Sequence, residues 1–275
     1  GNAYTTSLTL DGTTYKTDGV TIFEAAGGNT ILLTGASPTI TTTNDNLTFD
    51  GGNIVLSTAG TTTIDTELGG SGGGNVLIDG TINGTDGENE ALVINGGSGS
   101  VTVNGAIGAT NPLTTITIGS VGAGTVEVTN IGGGSAGATG AVNIGNSATT
   151  TLTLDGTVYK TGTGATDYEA KAGNTILLTG VSPTVTTGGG DLSFSTGNIV
   201  LSNAGTTTFT TGTGTGGNIT VAATIDGTDS ENEALVIESG SGNVQLQGAI
   251  GATNPLTTIT INSSGAGTVE VTNIG

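Results

Sequence analysis

The chain has 275 residues and a formal net charge of −19, with 22 acidic residues and only three basic ones. It contains no cysteine, histidine, methionine or tryptophan. This composition excludes disulfides and thiol or imidazole chemistry, and it makes nucleic acids and anionic membranes poor partners, because almost nothing could neutralise their phosphates.

The rest of the composition favours many short β-strands over a thick, round core. Glycine accounts for 53 residues, and charged residues for only 9% of the chain, against roughly 25% in ordinary soluble domains. Glycine-rich acidic chains are often disordered, but here apolar residues alternate with polar ones, as in Leu8/Leu10, Val101/Val103 and Val126/Val128. Alternation with a period of two indicates strands.

Two copies of one long unit make up the chain. The segment Gly105–Ile118, GAIGATNPLTTITI, recurs without change as Gly248–Ile261, and other matching segments are offset by 143 to 145 residues. We therefore predict a first unit over residues 1–144, of about six coils, and a second over residues 145–275, continuous with the first in one rod. Because the chain begins and ends in ordinary repeat, we expect it to be a window on a longer array.

A shorter rhythm divides each unit. Apolar strands begin near Leu8, Ile31, Ile54, Val76, Val101 and Val126, with the next unit starting at Leu152, in steps of 22 to 26 residues. Secondary strands lie between them, set off by Asp-Gly and Asn-Gly turns. The pattern predicts an all-β fold, a parallel β-helix (β-solenoid) of about 24 residues per coil and roughly eleven coils. Such a rod would be about 50–55 Å long at the usual strand spacing. A row of hairpins or β-sandwiches remains the alternative.

The repeat texture resembles that of filamentous-haemagglutinin-like bacterial surface proteins, giant exoproteins built from β-strand repeats. The resemblance is clearest over Gly227–Val271, GTDSENEALVIESGSGNVQLQGAIGATNPLTTITINSSGAGTVEV. It implies a right-handed β-helix at the bacterial cell surface or in the extracellular space, forming a stalk, adhesin or fibre. The segment Val142–Gly156 is also similar to repeats of phage and viral fibres.

We therefore predict a non-enzymatic structural protein, a segment of a secreted filament or cell-surface stalk. Its partners would be further copies of itself, stacked end to end or side by side, and a host or neighbouring cell surface. We predict no nucleic-acid partner, and the chain is not expected to be membrane-embedded, since no apolar run is long enough. The alternatives are an adhesin stalk whose binding tip lies outside this segment and a phage or viral fibre shaft.

Acidic residues cluster at matching places in the two units. Alternating oxygen ligands could hold Ca²⁺, although the spacing fits neither an EF-hand nor a calcium-binding nonapeptide repeat. The favoured interpretation is a solvated corner loop with no cofactor. The candidate calcium ligands are Asp86, Glu88, Glu90, Asp226, Asp229, Glu231 and Glu233.

Other functions fit the sequence less well. Paired acids could hydrolyse glycosides, but these acids repeat with the scaffold and lack aromatic sugar platforms, so no catalytic site is predicted. Threonine runs suggest ice binding, but they do not form one ladder at coil spacing. Tyr15 and Tyr159, each followed by lysine, are expected to pack over a neighbouring coil, and a lateral contact between rods is the alternative.

Overall fold

The computed structural model describes residues 1–68, 72–85, 89–212, 214–228 and 232–275. Over these residues the regular structure is entirely β-strand, as predicted, and no helix occurs. The strands are β1 (Ser7–Leu10), β2 (Thr14–Thr17), β3 (Thr21–Glu24), β4 (Thr30–Leu33), β5 (Thr39–Thr42), β6 (Leu47–Asp50), β7 (Asn53–Leu56), β8 (Gly60–Asp65), β9 (Val76–Ile78), β10 (Ile82–Asn83), β11 (Glu90–Asn95), β12 (Val101–Ile107), β13 (Thr115–Gly119), β14 (Thr125–Ile131), β15 (Val142–Gly145), β16 (Thr151–Leu154), β17 (Val158–Thr161), β18 (Thr166–Glu169), β19 (Thr175–Leu178), β20 (Thr184–Thr187), β21 (Leu192–Thr196), β22 (Asn198–Leu201), β23 (Gly205–Thr210), β24 (Ile219–Val221), β25 (Ile225–Asp226), β26 (Glu233–Ser239), β27 (Val244–Ile250), β28 (Thr258–Ser263) and β29 (Val269–Ile274).

The strands pair in parallel and wind into a β-solenoid of about ten turns of about 25 residues. Each turn supplies one strand segment to each of three faces, and every segment pairs with the segment one turn later. The predicted β-helix is confirmed, with turns about one residue longer than the predicted 24.

Inward-facing residues on the three faces form three ladders of eleven rungs. The first ladder comprises Leu8, Ile31, Ile54, Ile82, Ile107, Ile131, Tyr159, Val185, Phe209, Ile237 and Ile261. The second comprises Tyr15, Ile40, Ile64, Ile94, Ile118, Ile144, Tyr168, Phe194, Val221, Leu246 and Val271. The third comprises Thr21, Leu47, Val76, Val101, Val126, Leu152, Ile176, Ile199, Ile225, Ile250 and Ile274.

These ladders are the hydrophobic core. On all three, the side chains of the second to tenth rungs are at most 1% exposed, whereas those of the first and eleventh rungs are partly exposed. A rung is therefore buried by the rungs on both sides of it and not by a separate layer. Burial of apolar surface stabilises the fold by roughly 25 cal/mol per Å², so stability accumulates along the axis.

The sequence misplaced one step of this winding. The steps from Leu8 to Ile31 and from Ile31 to Ile54 stay on one face, as expected. The next partner of Ile54 is Ile82, however, and Val76 lies on another face, where it pairs with Leu47. A period of two identifies inward-facing residues but does not say which face they belong to, so a strand from a neighbouring face was mistaken for the next rung.

The corrected winding shows that the two sequence units are rotated relative to each other. Leu8 occupies the first rung of the first ladder, whereas its counterpart Leu152 occupies the sixth rung of the third. One unit therefore spans five and two-thirds turns, close to the six coils predicted. Equivalent side chains of successive units consequently lie on different faces.

Polar side chains tie the corners together along the axis. The amide oxygen of Asn46 accepts a hydrogen bond from the N–H of Asn75 at 2.8 Å, and that of Asn75 from the N–H of Ser100 at 2.9 Å. In the second unit, Asn218 and Asn243 form an equivalent series. At other corners only glycine fits, since a Cβ on Gly156 would lie 1.4 Å from the carbonyl oxygen of Thr129.

Candidate functional site

The acidic residues singled out in the sequence fall into three groups. Asp86, Glu88, Asp229 and Glu231 lie outside the described residues. Glu90 and Glu233 are the first residues of β11 and β26, and each is only 1% exposed, so these two carboxylates do not belong to a solvated loop. Asp226 is half-buried on β25.

Glu90 points into the rod from the corner between β10 and β11. One carboxylate oxygen, Oε1, accepts hydrogen bonds from the backbone N–H of Thr85 at 3.1 Å and from the hydroxyl of Thr85 at 2.6 Å. The other oxygen, Oε2, is buried and has no hydrogen-bond partner among the described residues. Half of this carboxylate is thus satisfied by the loop it closes, and half is left over.

Glu233 repeats this arrangement in the second unit. Its Oε1 accepts from the N–H of Thr228 at 3.0 Å and from the Thr228 hydroxyl at 2.5 Å. Its Oε2 is again buried without a partner in the described part of the chain. A buried acceptor without a partner is unfavourable by about 1–3 kcal/mol, and more for a charged group, so an arrangement found twice demands an explanation.

The space beside each unpartnered oxygen is bounded by a glycine and by the following turn. A Cβ placed on Gly84 would lie 2.9 Å from Glu90 Oε2 and 3.2 Å from the carbonyl oxygen of Pro112. A Cβ placed on Gly227 would lie 3.1 Å from Glu233 Oε2. Pro112 belongs to the stretch that recurs unchanged in both units, so the identical segment forms one wall of each site.

The turns on both sides of the buried glutamate are held tightly. The N–H of Gly84 donates to the carbonyl of Asn111 at 3.1 Å, and the Asn111 side chain donates back to the carbonyl of Gly84 at 3.3 Å. The N–H and the hydroxyl of Thr114 both donate to the carbonyl of Glu90 at 2.7 Å. The backbone around the carboxylate is therefore rigidly defined on the described side.

Asp226 has a structural role instead. Its Oδ1 accepts a hydrogen bond from the N–H of Thr253 at 2.9 Å, just as Asn83 at the same place in the first unit accepts from the N–H of Thr110 at 3.0 Å. An asparagine performs the same function, so the negative charge is not needed there. Of the sequence-predicted calcium candidates that are described, only Glu90 and Glu233 retain a free ligand atom.

The chemistry available at these sites is cation binding and not catalysis. Across the described residues, no three Asp, Glu, His or Cys side chains come together. The two glutamates lie on different ladders and cannot act as an acid–base pair. One buried carboxylate oxygen and one carbonyl oxygen are ligands suited to a hard cation.

A buried aromatic column lies at the centre of the second unit and was not anticipated as a group. Tyr159 and Tyr168 pack edge to face with ring centroids 6.3 Å apart, Tyr168 stacks on Phe194 at 5.4 Å, and Phe194 contacts Phe209 at 4.7 Å. Tyr159 is fully buried, so it packs inside the rod as expected and makes no lateral contact. Alternation along β17 and β18 could have revealed this, because both tyrosines fall at inward positions.

Burial changes the acidity of both phenols. Desolvation raises the pKa of Tyr159 and of Tyr168 well above the ordinary value. The hydroxyl of Tyr159 donates to the carbonyl of Val128 at 2.9 Å and accepts from the N–H of Gly156 at 2.8 Å. The hydroxyl of Tyr168 has no hydrogen-bond partner within the described residues. Neither phenol is accessible to a reactant, so both are structural.

The outer surface has only shallow depressions at the places examined in detail. One, of about 290 Å³, lies near the last turns and is lined by Thr210, Gly212, Glu238, Ser239, Asn262, Ser263 and Ser264. It has a single carboxylate and no basic or aromatic group. Such a lining does not suggest a catalytic cleft or a sugar platform.

No family model, curated protein or solved structure matches the chain. In the described part of the chain there is no helix that is both long and apolar enough to cross a membrane.

Proposed function

We propose that this chain is a structural element, a β-solenoid segment of an extracellular filament or cell-surface stalk. The observation that supports it is the continuity of the rod across the boundary between the two sequence units. Val126 pairs with Leu152, Ile131 with Tyr159, and Ile144 with Tyr168, and all six side chains are completely buried. Adding a unit therefore adds length to one body and does not add a separate lobe.

The proposed role requires stiffness and resistance to proteases, and the fold supports both. Backbone hydrogen bonds between turns run along the axis on all three faces, and the buried ladders join every turn to the next. Corners are short and closely stacked, as at Gly156. A protease needs a locally unfolded segment, and few such segments exist where each turn is held from both sides.

Location and partners form part of the same proposal. A surface with a net charge of −19 and no cysteine suits an exposed, self-repelling rod, and the repeat texture resembles that of bacterial surface exoproteins. The partner is a further copy. The first and last turns each have one unpaired edge, and apolar side chains are exposed there, with Ile22 and Ile274 each 58% exposed. Unpaired edges of this kind are templates for pairing with another chain.

Electron microscopy of the purified 275-residue chain at increasing concentration tests the assembly. We expect single rods to give way to filaments with a regular axial repeat. Ile274→Lys should abolish the filaments, because stacking would bury the new ammonium group on the third ladder, while the monomer keeps its fold. The matched control is Val181→Lys, since Val181 is 71% exposed away from the ends of the rod. Rods that stay monomeric at all concentrations would contradict end-to-end assembly and favour an isolated stalk.

The location is tested separately. Antibodies raised against the chain should label fibres or stalks on the surface of intact producing cells in immunogold microscopy. Label found only inside permeabilised cells would overturn the proposed extracellular role and leave the rod architecture unaffected.

A further inference from the structure

The geometry at Glu90 and Glu233 points to two buried calcium sites, one in each unit. We infer that a Ca²⁺ ion lies against the free Oε2 of each glutamate, between the corner loop and the turn that follows it. This inference goes beyond the stalk function, since a rod can serve as a stalk with or without bound metal.

The first step in the argument is the burial of the carboxylates. Each glutamate is 1% exposed, and one of its two oxygens has no hydrogen-bond partner among the described residues. An ionised carboxylate in such a place needs a counter-charge or a hydrogen-bond donor. The chain offers no nearby candidate in sequence, because its only cationic side chains are Lys16, Lys160 and Lys171.

The second step is the orientation of the free oxygens. The hydrogen bonds from Thr85 and Thr228 hold Oε1 of each glutamate against the corner loop and so fix Oε2 on the opposite side of the carboxylate. In the first unit this oxygen and the carbonyl oxygen of Pro112 both border the space beside Gly84. Carboxylate and carbonyl oxygens are the ligands that calcium prefers, and water can complete its coordination sphere.

The third step is repetition on different faces. Glu90 lies beside the second ladder and Glu233 beside the first, so their surroundings along the rod differ. The hydrogen bonds at Oε1 and the unpartnered Oε2 are nevertheless the same in both units. The arrangement therefore belongs to the unit itself and is not an accident of one position in the rod.

Calorimetric titration of CaCl₂ into the chelator-treated chain tests the inference. We expect two bound ions per chain. Glu90→Gln should leave one, and the double variant Glu90→Gln/Glu233→Gln should leave none, since glutamine keeps the acceptor for the threonine but loses the charge. The matched control is Glu127→Gln/Glu270→Gln, which removes two charges at equivalent strand positions less buried than Glu90 and Glu233 and should still bind two ions.

A second variant pair keeps the charge and fills the space. Gly84→Ala/Gly227→Ala would place a methyl group 2.9 Å and 3.1 Å from the free oxygens and should also eliminate binding. This pair decides the question if the glutamine variants do not fold. Absence of saturable calcium binding in the unaltered chain, or binding that survives both variant pairs, would overturn the inference.

Discussion

The phenol of Tyr168 lies in the centre of the rod, where the corresponding residue of the first unit is Phe23. Its hydroxyl is buried and has no partner in the described part of the chain. Tyr168→Phe should therefore raise the free energy of unfolding by about 1 kcal/mol at neutral pH, because it removes an unsatisfied polar group and keeps the stacked ring. Urea denaturation measures the change. Tyr159→Phe is the control and should lower stability, since its hydroxyl makes two hydrogen bonds.

The same two phenols make stability depend on alkaline pH. Burial raises the pKa of each above the value of about 10 in the unfolded chain, so above pH 10 the unfolded chain releases protons that the folded chain keeps. Their contribution is therefore complete below pH 10 and is lost as the pH rises, by up to about 1.4 kcal/mol per pH unit for each tyrosine. Urea midpoints measured between pH 8 and pH 11 should fall less steeply for Tyr168→Phe. Equal slopes in the two proteins would contradict this.

At the scale of the strands, the corrected winding can be tested chemically because the chain has no cysteine. Val55 and Asn83 are outward-facing neighbours on paired strands, whereas Leu77 lies on another face beside Thr48. In-register parallel neighbours are separated by roughly 4.8 Å. A short bifunctional thiol reagent should therefore link the cysteines of Val55→Cys/Asn83→Cys and fail to link those of Val55→Cys/Leu77→Cys. Thr48→Cys/Leu77→Cys is the positive control. Linking of Val55 to Leu77 would instead support the winding inferred from the sequence alone.

The strands also show how far the sequence determines the structure. Alternation identified the inward residues, and the doubled unit established that one scaffold is repeated. The order of the faces could not be predicted, because Val76 and Ile82 are both inward apolar residues at plausible distances from Ile54. Choosing between them requires knowing how many residues the corners take up, and glycine-rich corners vary in length without changing the alternation.

The site was predicted less completely, for a similar reason. The acidic cluster could be recognised in the sequence, but its charge suggested a solvated loop. That Glu90 and Glu233 turn inward follows from their position at the start of alternating strands, where the first residue is on the buried face. The free oxygen beside Gly84 depends on how the next turn stacks, which no local pattern specifies.

At the scale of the whole molecule, five and two-thirds turns per unit has a consequence for any longer array. A surface feature of one unit moves to another face in the next and returns to its original face after three units. A rod of many units thus presents each feature in three directions, in a screw that advances roughly 27 Å per unit at a rise of about 4.8 Å per turn. Side-by-side association through such a feature would bundle rods in three dimensions and would not produce flat ribbons.

Chains of one, two and three units test this architecture directly. Each added unit should lengthen the rod by roughly 27 Å in cryo-electron micrographs and raise the urea midpoint, because interior turns gain neighbours on both sides while the two ends stay the same. The midpoint should rise most between one and two units, since the shortest chain has the largest share of turns at an end. Unfolding should be a single transition, because Val126 and Leu152 join the units by the same pairing that joins turns within them. Separate transitions, or a string of compact lobes whose number equals the number of units, would show that the units fold independently and that the rod is not one body.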